Sequence, residues 1–260
     1  MKLALVIPWF GRELKGGAEQ QAWQVAARLA ARGHAVEVLT TCCRSHQDDW
    51  SSNHWPAGLT SEPEGFAVRR FPVVSRDERA FAAVARTLQT LPPDALQPGL
   101  APVSAEESRI FVEELIKSPE LLDFLRAHRT DYDWFLLLPY LYGPVIDGIS
   151  IVGNRAALQP CLHDEAYAYL PEVAAAFRRA ALLLFNSEGE QELALRLFGP
   201  GIWPRCRLIG GGVESEPAPE ITQEIEQAAR ERFVLYLGRK DAGKNVPLLL
   251  RAFERFRRVR

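Results

Sequence analysis

The chain has 260 residues, 47% of them apolar and 25% charged, with a formal net charge of −2. That balance belongs to a globular protein rather than a disordered or fibrous one, and it lacks the bulk basic field that draws nucleic acid. No apolar run reaches the roughly 18 to 20 residues that span a bilayer, and the four cysteines fit neither a disulfide framework nor a zinc spacing. Cys161 and Cys206, in apolar surroundings, read as reduced structural thiols.

The amino-terminal run Met1 to Pro8 is too short for a secretion signal and reads as a first strand over Leu3 to Ile7. A cytosolic protein follows, with work at the inner membrane surface as an open alternative. Gly11 to Gly17 is a loop, and Ala18 to Arg32 a helix with Ala18, Ala22, Val25, Ala26 and Leu29 on one face. Gly33 stops that helix and Ala35 to Thr40 form the second strand. Residues 41–65 read as a long loop, with Trp50, Trp55 and Phe66 as loop packing. Phe66 to Phe71 is a short strand and Arg76 to Leu91 a helix. Arg76, Arg79 and Arg86 stand beside Phe81, Val84 and Leu88 there. An anionic membrane contact and a core-facing helix with a solvated face both fit, the second better. Prolines at 92, 93, 98 and 102 make the next stretch a connection.

Glu106 to Ile116 and Leu121 to His128 read as helices, with Ser118 and Pro119 as cap and first position of the second. Strands are then expected over 134–138, 157–162, 182–185 and 207–209, alternating with helices over 143–151, 170–180 and 188–198. This β-α-β rhythm implies an α/β fold with a doubly wound, Rossmann-like parallel sheet. Pro217 and Pro219 mark an acidic linker. The division expected is therefore an amino-terminal domain over 1–213, a linker and helix over 214–232, and the incomplete start of a second domain over 233–260. Val234 to Leu237 read as a buried strand of that second domain, followed by a helix capped by Asn245.

Four places carry possible chemistry. Arg239 and Lys244 lie in the last strand-to-helix crossover, where a guanidinium, an ammonium and a helix amino terminus suit a diphosphate. Two ordinary surface cations remain the competing reading. Gly16 and Gly17 open the first helix and allow an anion close to the backbone, though a plain helix start explains them equally well. A dinucleotide fingerprint is excluded, because eight residues separate Ile7 from Gly16. His163 sits at the carboxyl end of a strand, with Asp164 or Glu165 available to orient it or to cap the next segment. Asn186 and Ser187 close another strand, Ser187 as a natural cap. Gly210 to Gly212 read as a hinge, a close approach to ligand, or both. No spacing suits a metal or a hydrolase nucleophile.

Taken in order, Gly16-Gly17-Ala18-Glu19, Leu162-His163-Asp164-Glu165, Phe185-Asn186-Ser187-Glu188, Ile209 to Glu214, and Gly238-Arg239 with Lys244-Asn245 resemble glycosyltransferase family 4. The resemblance covers nearly the whole chain. It departs at the glycine run 210–212, where the family more often shows a proline-asparagine-glycine turn. It implies the first half of a two-domain GT-B fold with the second domain truncated, and retaining transfer of a hexosyl group from a nucleotide-sugar donor to a glycan or lipid-linked acceptor, as in polysaccharide biosynthesis. By the same resemblance Arg239 and Lys244 hold the diphosphate, Gly16 and Gly17 bring backbone amides to it, and His163 bonds the donor sugar. Asn186, Ser187 and Gly212 complete the donor-side set. No metal or other cofactor is expected. The family's paired glutamates lie beyond Lys244; Glu106/Glu114 and Glu216/Glu224 share their seven-residue spacing but precede the second domain. A fragment inactive by itself is the expectation. The alternatives are a sugar-nucleotide epimerase of GT-B fold and a non-catalytic carbohydrate-binding domain.

Overall fold

A computed structural model describes residues 1–14, 16–212, 223–230, 233–238 and 245–259. The chain divides into two compact units, Met1–Gly212 and Val213–Arg260.

The first unit is built on one eight-stranded sheet: β1 (Lys2–Val6), β2 (Ala35–Thr41), β3 (Gly58–Ser61), β4 (Ala67–Phe71), β5 (Trp134–Leu137), β6 (Ala156–Leu158), β7 (Leu182–Phe185) and β8 (Cys206–Leu208). Their order is β3-β4-β2-β1-β5-β6-β7-β8, parallel throughout except for β3 against β4. Between them run α1 (Gly17–Ala31), α2 (Glu78–Thr90), α3 (Ala105–Glu113), α4 (Pro119–His128), α5 (Gly143–Val152), α6 (Pro171–Arg179) and α7 (Glu188–Phe198). The doubly wound α/β architecture expected from the alternation is present.

β1 shows why the sheet is central. Leu5 and Ile7 pack with Val36, Val38 and Ala22 and Ala26 of α1, while Ala4 and Val6 join the larger cluster with Leu39, Phe135, Leu137 and Phe177. Successive side chains enter opposite layers, so the strand reads as a continuous apolar run rather than an alternation. β1 pairs β2 on one side and β5 on the other, Leu5 facing Val38 and Leu136. The winding reverses between β1 and β5, the kind of place where open α/β sheets bind ligands.

Local signals end the elements as the residues dictate. Gly33, at φ +81°, closes α1: its N–H donates to Ala30 at 2.8 Å and that of His34 to Leu29 at 3.2 Å, a Schellman pair. Asp77 caps α2 by accepting from Ala80 N at 2.9 Å. Ser104 and Glu107 form a complete capping box on α3.

Three expectations are corrected, and for Arg76 the preferred, core-facing reading stands over the membrane contact. The loop over 41–65 contains β3, which is exposed along its length and has no buried face to reveal it by period. The strand expected over 157–162 stops at Leu158, because Pro160 lacks a donor and Cys161 turns to φ +54°. Arg76 faces the protein and not a membrane: its guanidinium lies between Trp50 and Phe81, 4.7 and 4.9 Å from their ring centres, and donates to Glu114 O at 3.0 Å. The strand expected over 234–237 is absent; residues 233–237 carry no ladder and Leu237 is 83% exposed. A strand exists only with a hydrogen-bonded neighbour, and a five-residue apolar run supplies none.

The second unit contains α8 (Gln223–Arg230) and α9 (Val246–Val259), whose large apolar residues are mostly exposed among the described positions. No helix of the described residues is long and apolar enough to cross a membrane.

Candidate functional site

Segments leaving β1, β6 and β7 meet the first turns of α1 through hydrogen bonds of Trp9, Gln159 and Asn186. Gly16 is the cap residue of α1 in extended backbone, and no side chain caps the helix there. Gly16 and Gly17 are both exposed, and a Cβ built on Gly17 would meet nothing within 4 Å. The first turn of a helix, with open space at Gly17, suits an anion's oxygens. Glu19, in the first turn, folds its carboxylate back beside Gly16 and accepts from the indole of buried Trp9 at 2.5 Å. Its charge complements the positive helix end.

One turn further, Gln21 donates to the carboxamide oxygen of Asn186 at 2.8 Å, and Gln159 donates to the same oxygen at 2.9 Å. Asn186 in turn donates to the Cys161 sulfur at 3.7 Å. Asn186 is therefore a hub joining α1, the end of β6 and the end of β7. Gln159 is only 1% exposed and its carbonyl oxygen has no partner among the described residues. Cys161 is one of only two non-glycine positive-φ residues among those described, so the chain bears strain just before His163. Burial, reinforced by the charge of Glu190, pushes its thiol up to about 11.

His163 is exposed, and its ring bonds no described residue. Its backbone is held: the carbonyl accepts from Glu165 N at 3.0 Å, and the N–H of the preceding Leu162 donates to Glu190 at 2.7 Å. The two acids beside it are committed elsewhere. Asp164 accepts from Arg196 and Tyr169, each at 2.7 Å, and these bonds hold its carboxyl below the usual range. Glu165 accepts from the Tyr140 hydroxyl at 2.7 Å, and burial, with that carboxylate, drives the phenol well above its ordinary value. Neither orients the imidazole, which leaves His163 free for a ligand.

Gly16, Gly17, Asn186 and the His163 segment are thus brought together. Ser187 caps α7, its hydroxyl accepting from Glu190 N at 3.2 Å. Gly212 closes the first unit, exposed, where a Cβ would lie 3.8 Å from an Arg28 guanidinium nitrogen on α1. Of the glycine run only Gly210, at φ +71°, needs the residue's freedom. Arg239 and Lys244 lie outside the described residues. Gln21, Gln159 and Glu190 escaped sequence reasoning. The available signals were an amide ending an apolar strand before Pro160 and the Ser187-x-x-Glu190 spacing. No group of three or more His, Cys, Asp or Glu able to hold a metal occurs among the described residues.

No protein-family model matches the chain, and no curated protein does. Solved structures do. A trehalose-6-phosphate synthase aligns with a TM-score of 0.50 at 15% identity, over 88% of this chain and 55% of its own. The fold is the Rossmann-like half of a GT-B architecture. A structure described as trehalose-6-phosphate from E. coli bound with UDP-2-fluoro glucose gives 0.49 at 14% identity, over 88% and 54%. The sucrose-phosphate synthase of Thermosynechococcus elongatus gives 0.43 at 14%, over 82% and 48%. The chain spans about half the length of these GT-B structures, and at such identities the likeness concerns the fold alone.

Proposed function

We propose that the chain is the acceptor-side part of a retaining glycosyltransferase of family 4, moving a hexosyl group from a nucleotide sugar to a glycan or lipid-linked acceptor hydroxyl. The observation that carries this reading is the convergence of Gln21, Asn186 and Gln159 beside the uncapped amino terminus of α1. It lies at the carboxyl edge of the sheet, past the ends of β6 and β7. An open helix end suits phosphate oxygens, and a neighbouring imidazole with a free ring suits a sugar hydroxyl.

In this reading the amides at Gly16 and Gly17 approach the diphosphate and His163 bonds the donor sugar. Arg239 and Lys244 neutralise the charge that grows on the leaving group. Two cations and a helix terminus supply that stabilisation without a metal ion. Asn186, Ser187 and Gly212 line the donor side, and the connections over 41–65 and 92–104 choose the acceptor.

The test is nucleoside diphosphate release from a nucleotide sugar, measured on the protein at its native length. Release that depends on an acceptor is the expected result. Arg239→Gln and Lys244→Gln should each lower turnover roughly a hundred- to a thousand-fold. Unchanged donor affinity and turnover in the double variant would remove the basis of the proposal. Nucleotide release without acceptor, or inversion of the sugar, would point instead to an epimerase; binding with neither would point to a carbohydrate-binding domain.

A further inference from the structure

Glu190 is a buried carboxylate that the proposed chemistry does not use. Its position, three residues after the capping Ser187, is that of a capping box, in which the glutamate returns to the backbone N–H of the cap residue. α3 shows the ordinary outcome: Ser104 N donates to Glu107 at 2.9 Å, with Ser104 exposed and Glu107 half-buried. In α7 only half the box forms. Glu190 N donates to the Ser187 hydroxyl, but the carboxylate goes elsewhere. One oxygen accepts from Asn186 N at 2.6 Å and the other from Leu162 N at 2.7 Å.

A cap does not require burial, yet Glu190 is 8% exposed and has no ion-pair partner among the described residues. Desolvating a carboxylate is costly unless donors replace the lost water. Here the compensation is two backbone N–H groups and the positive end of α7. What the arrangement gains is a link between two strand ends. Leu162 belongs to no strand, follows the strained Cys161 and precedes His163. Asn186 is the hub bonded to α1 through Gln21.

We infer that Glu190 is a positioning residue: it staples the His163 segment to Asn186 and so fixes the imidazole relative to the amino terminus of α1. The role of His163 toward a sugar rests on the glycosyltransferase reading; the staple itself does not.

The experiment follows the His163 ring by NMR in the whole chain, with His163→Gln identifying its resonance among the five histidines. Glu190→Gln keeps the shape but sets an NH2 group against one of the two backbone donors. It should move and broaden the His163 resonance while His34, His46, His54 and His128 stay in place. Leu197→Ala removes core packing from the same helix without touching the staple and should leave His163 unmoved. In turnover, Glu190→Gln should lower kcat roughly ten- to a hundred-fold with the donor KM nearly constant. If the protein at its native length transfers no sugar, the transferase reading fails while the ring signal still decides the staple. Should Glu190→Gln not fold, amide exchange in the unaltered chain decides: Leu162 should be protected like a strand amide. An unprotected Leu162, or a His163 resonance equally placed in Glu190→Gln and Leu197→Ala, would overturn the inference.

Discussion

Two apolar runs of five residues meet opposite fates in the two units. Leu3-Ala-Leu-Val-Ile7 lies in the first and is almost wholly buried, with β1 between β2 and β5. Phe233-Val-Leu-Tyr-Leu237 lies in the second, makes no strand and is mostly exposed. By composition the second run is the better strand former, richer in aromatic residues. The difference is supplied by neighbours. A strand's donors and acceptors point sideways and find partners only in another segment, whereas helical bonds close within four residues. α9 accordingly forms although Leu248, Leu250 and Phe256 stay exposed, while the run before it does not pair. Burial, not hydrophobicity alone, separates the units.

The largest effect that would break this contrast concerns the core. Phe135 in β5 is fully buried, and Phe135→Ala should cost about 3–5 kcal/mol of unfolding free energy, read from the urea midpoint. Phe256→Ala, at a side chain 52% exposed, should stay within about 0.5 kcal/mol. Equal shifts for the two would mean that the units do not differ as described.

Thiol chemistry sharpens the same point. Burial pushes the Cys43 and Cys161 thiols up to about 11, against roughly 8.5 for an unfolded thiol. At pH 8 their thiolate fraction is on the order of a thousandth, against about a quarter when free. Alkylation should therefore be at least about a hundred-fold slower in the folded chain than in denaturant. Because the folded value is raised, the thiols' contribution to stability is complete below about pH 8.5. It declines as pH rises toward about 11. Equal alkylation rates with and without denaturant would show that the interior does not exclude charge at these positions.

A cap should give a smaller loss than the buried ring of Phe135. Ser104→Ala removes the hydroxyl half of the α3 capping box and leaves the backbone N–H of residue 104 on Glu107; it should cost about 1 kcal/mol by the same urea measurement. A loss as large as that at Phe135 would mean that local signals, rather than packing, sustain the first unit.

Much of the fold could be read directly because its signals are local. Gly33 ends α1, Ser187 caps α7, and the apolar runs of β1, β5 and β7 mark buried strands. β3 could not be read, because an exposed edge strand carries no apolar period, and β6 ended early where Cys161 turned out of the extended region. The site divided in the same way. Gly16, Gly17 and Asn186 stand at helix or strand ends, where spacing points; His163, expected at the carboxyl end of a strand, lies instead in the segment beyond β6, which ends at Leu158. Gln21 and Gln159 did not show themselves, since what distinguishes them is a shared partner, Asn186, 165 and 27 residues away in sequence.

The order of residues by itself determined where helices begin and end, which strands are buried, and which polar side chains stand at the carboxyl edge of a sheet. Those properties depend on bonds and periods that span only a few neighbours. Tertiary structure alone decided that Phe233 to Leu237 would not be a strand and that Arg76 would lie between two rings. It also decided that Glu190 would leave its own helix cap to hold Leu162 and Asn186. Each of these outcomes turns on a partner that only the folded chain brings within hydrogen-bonding or van der Waals reach.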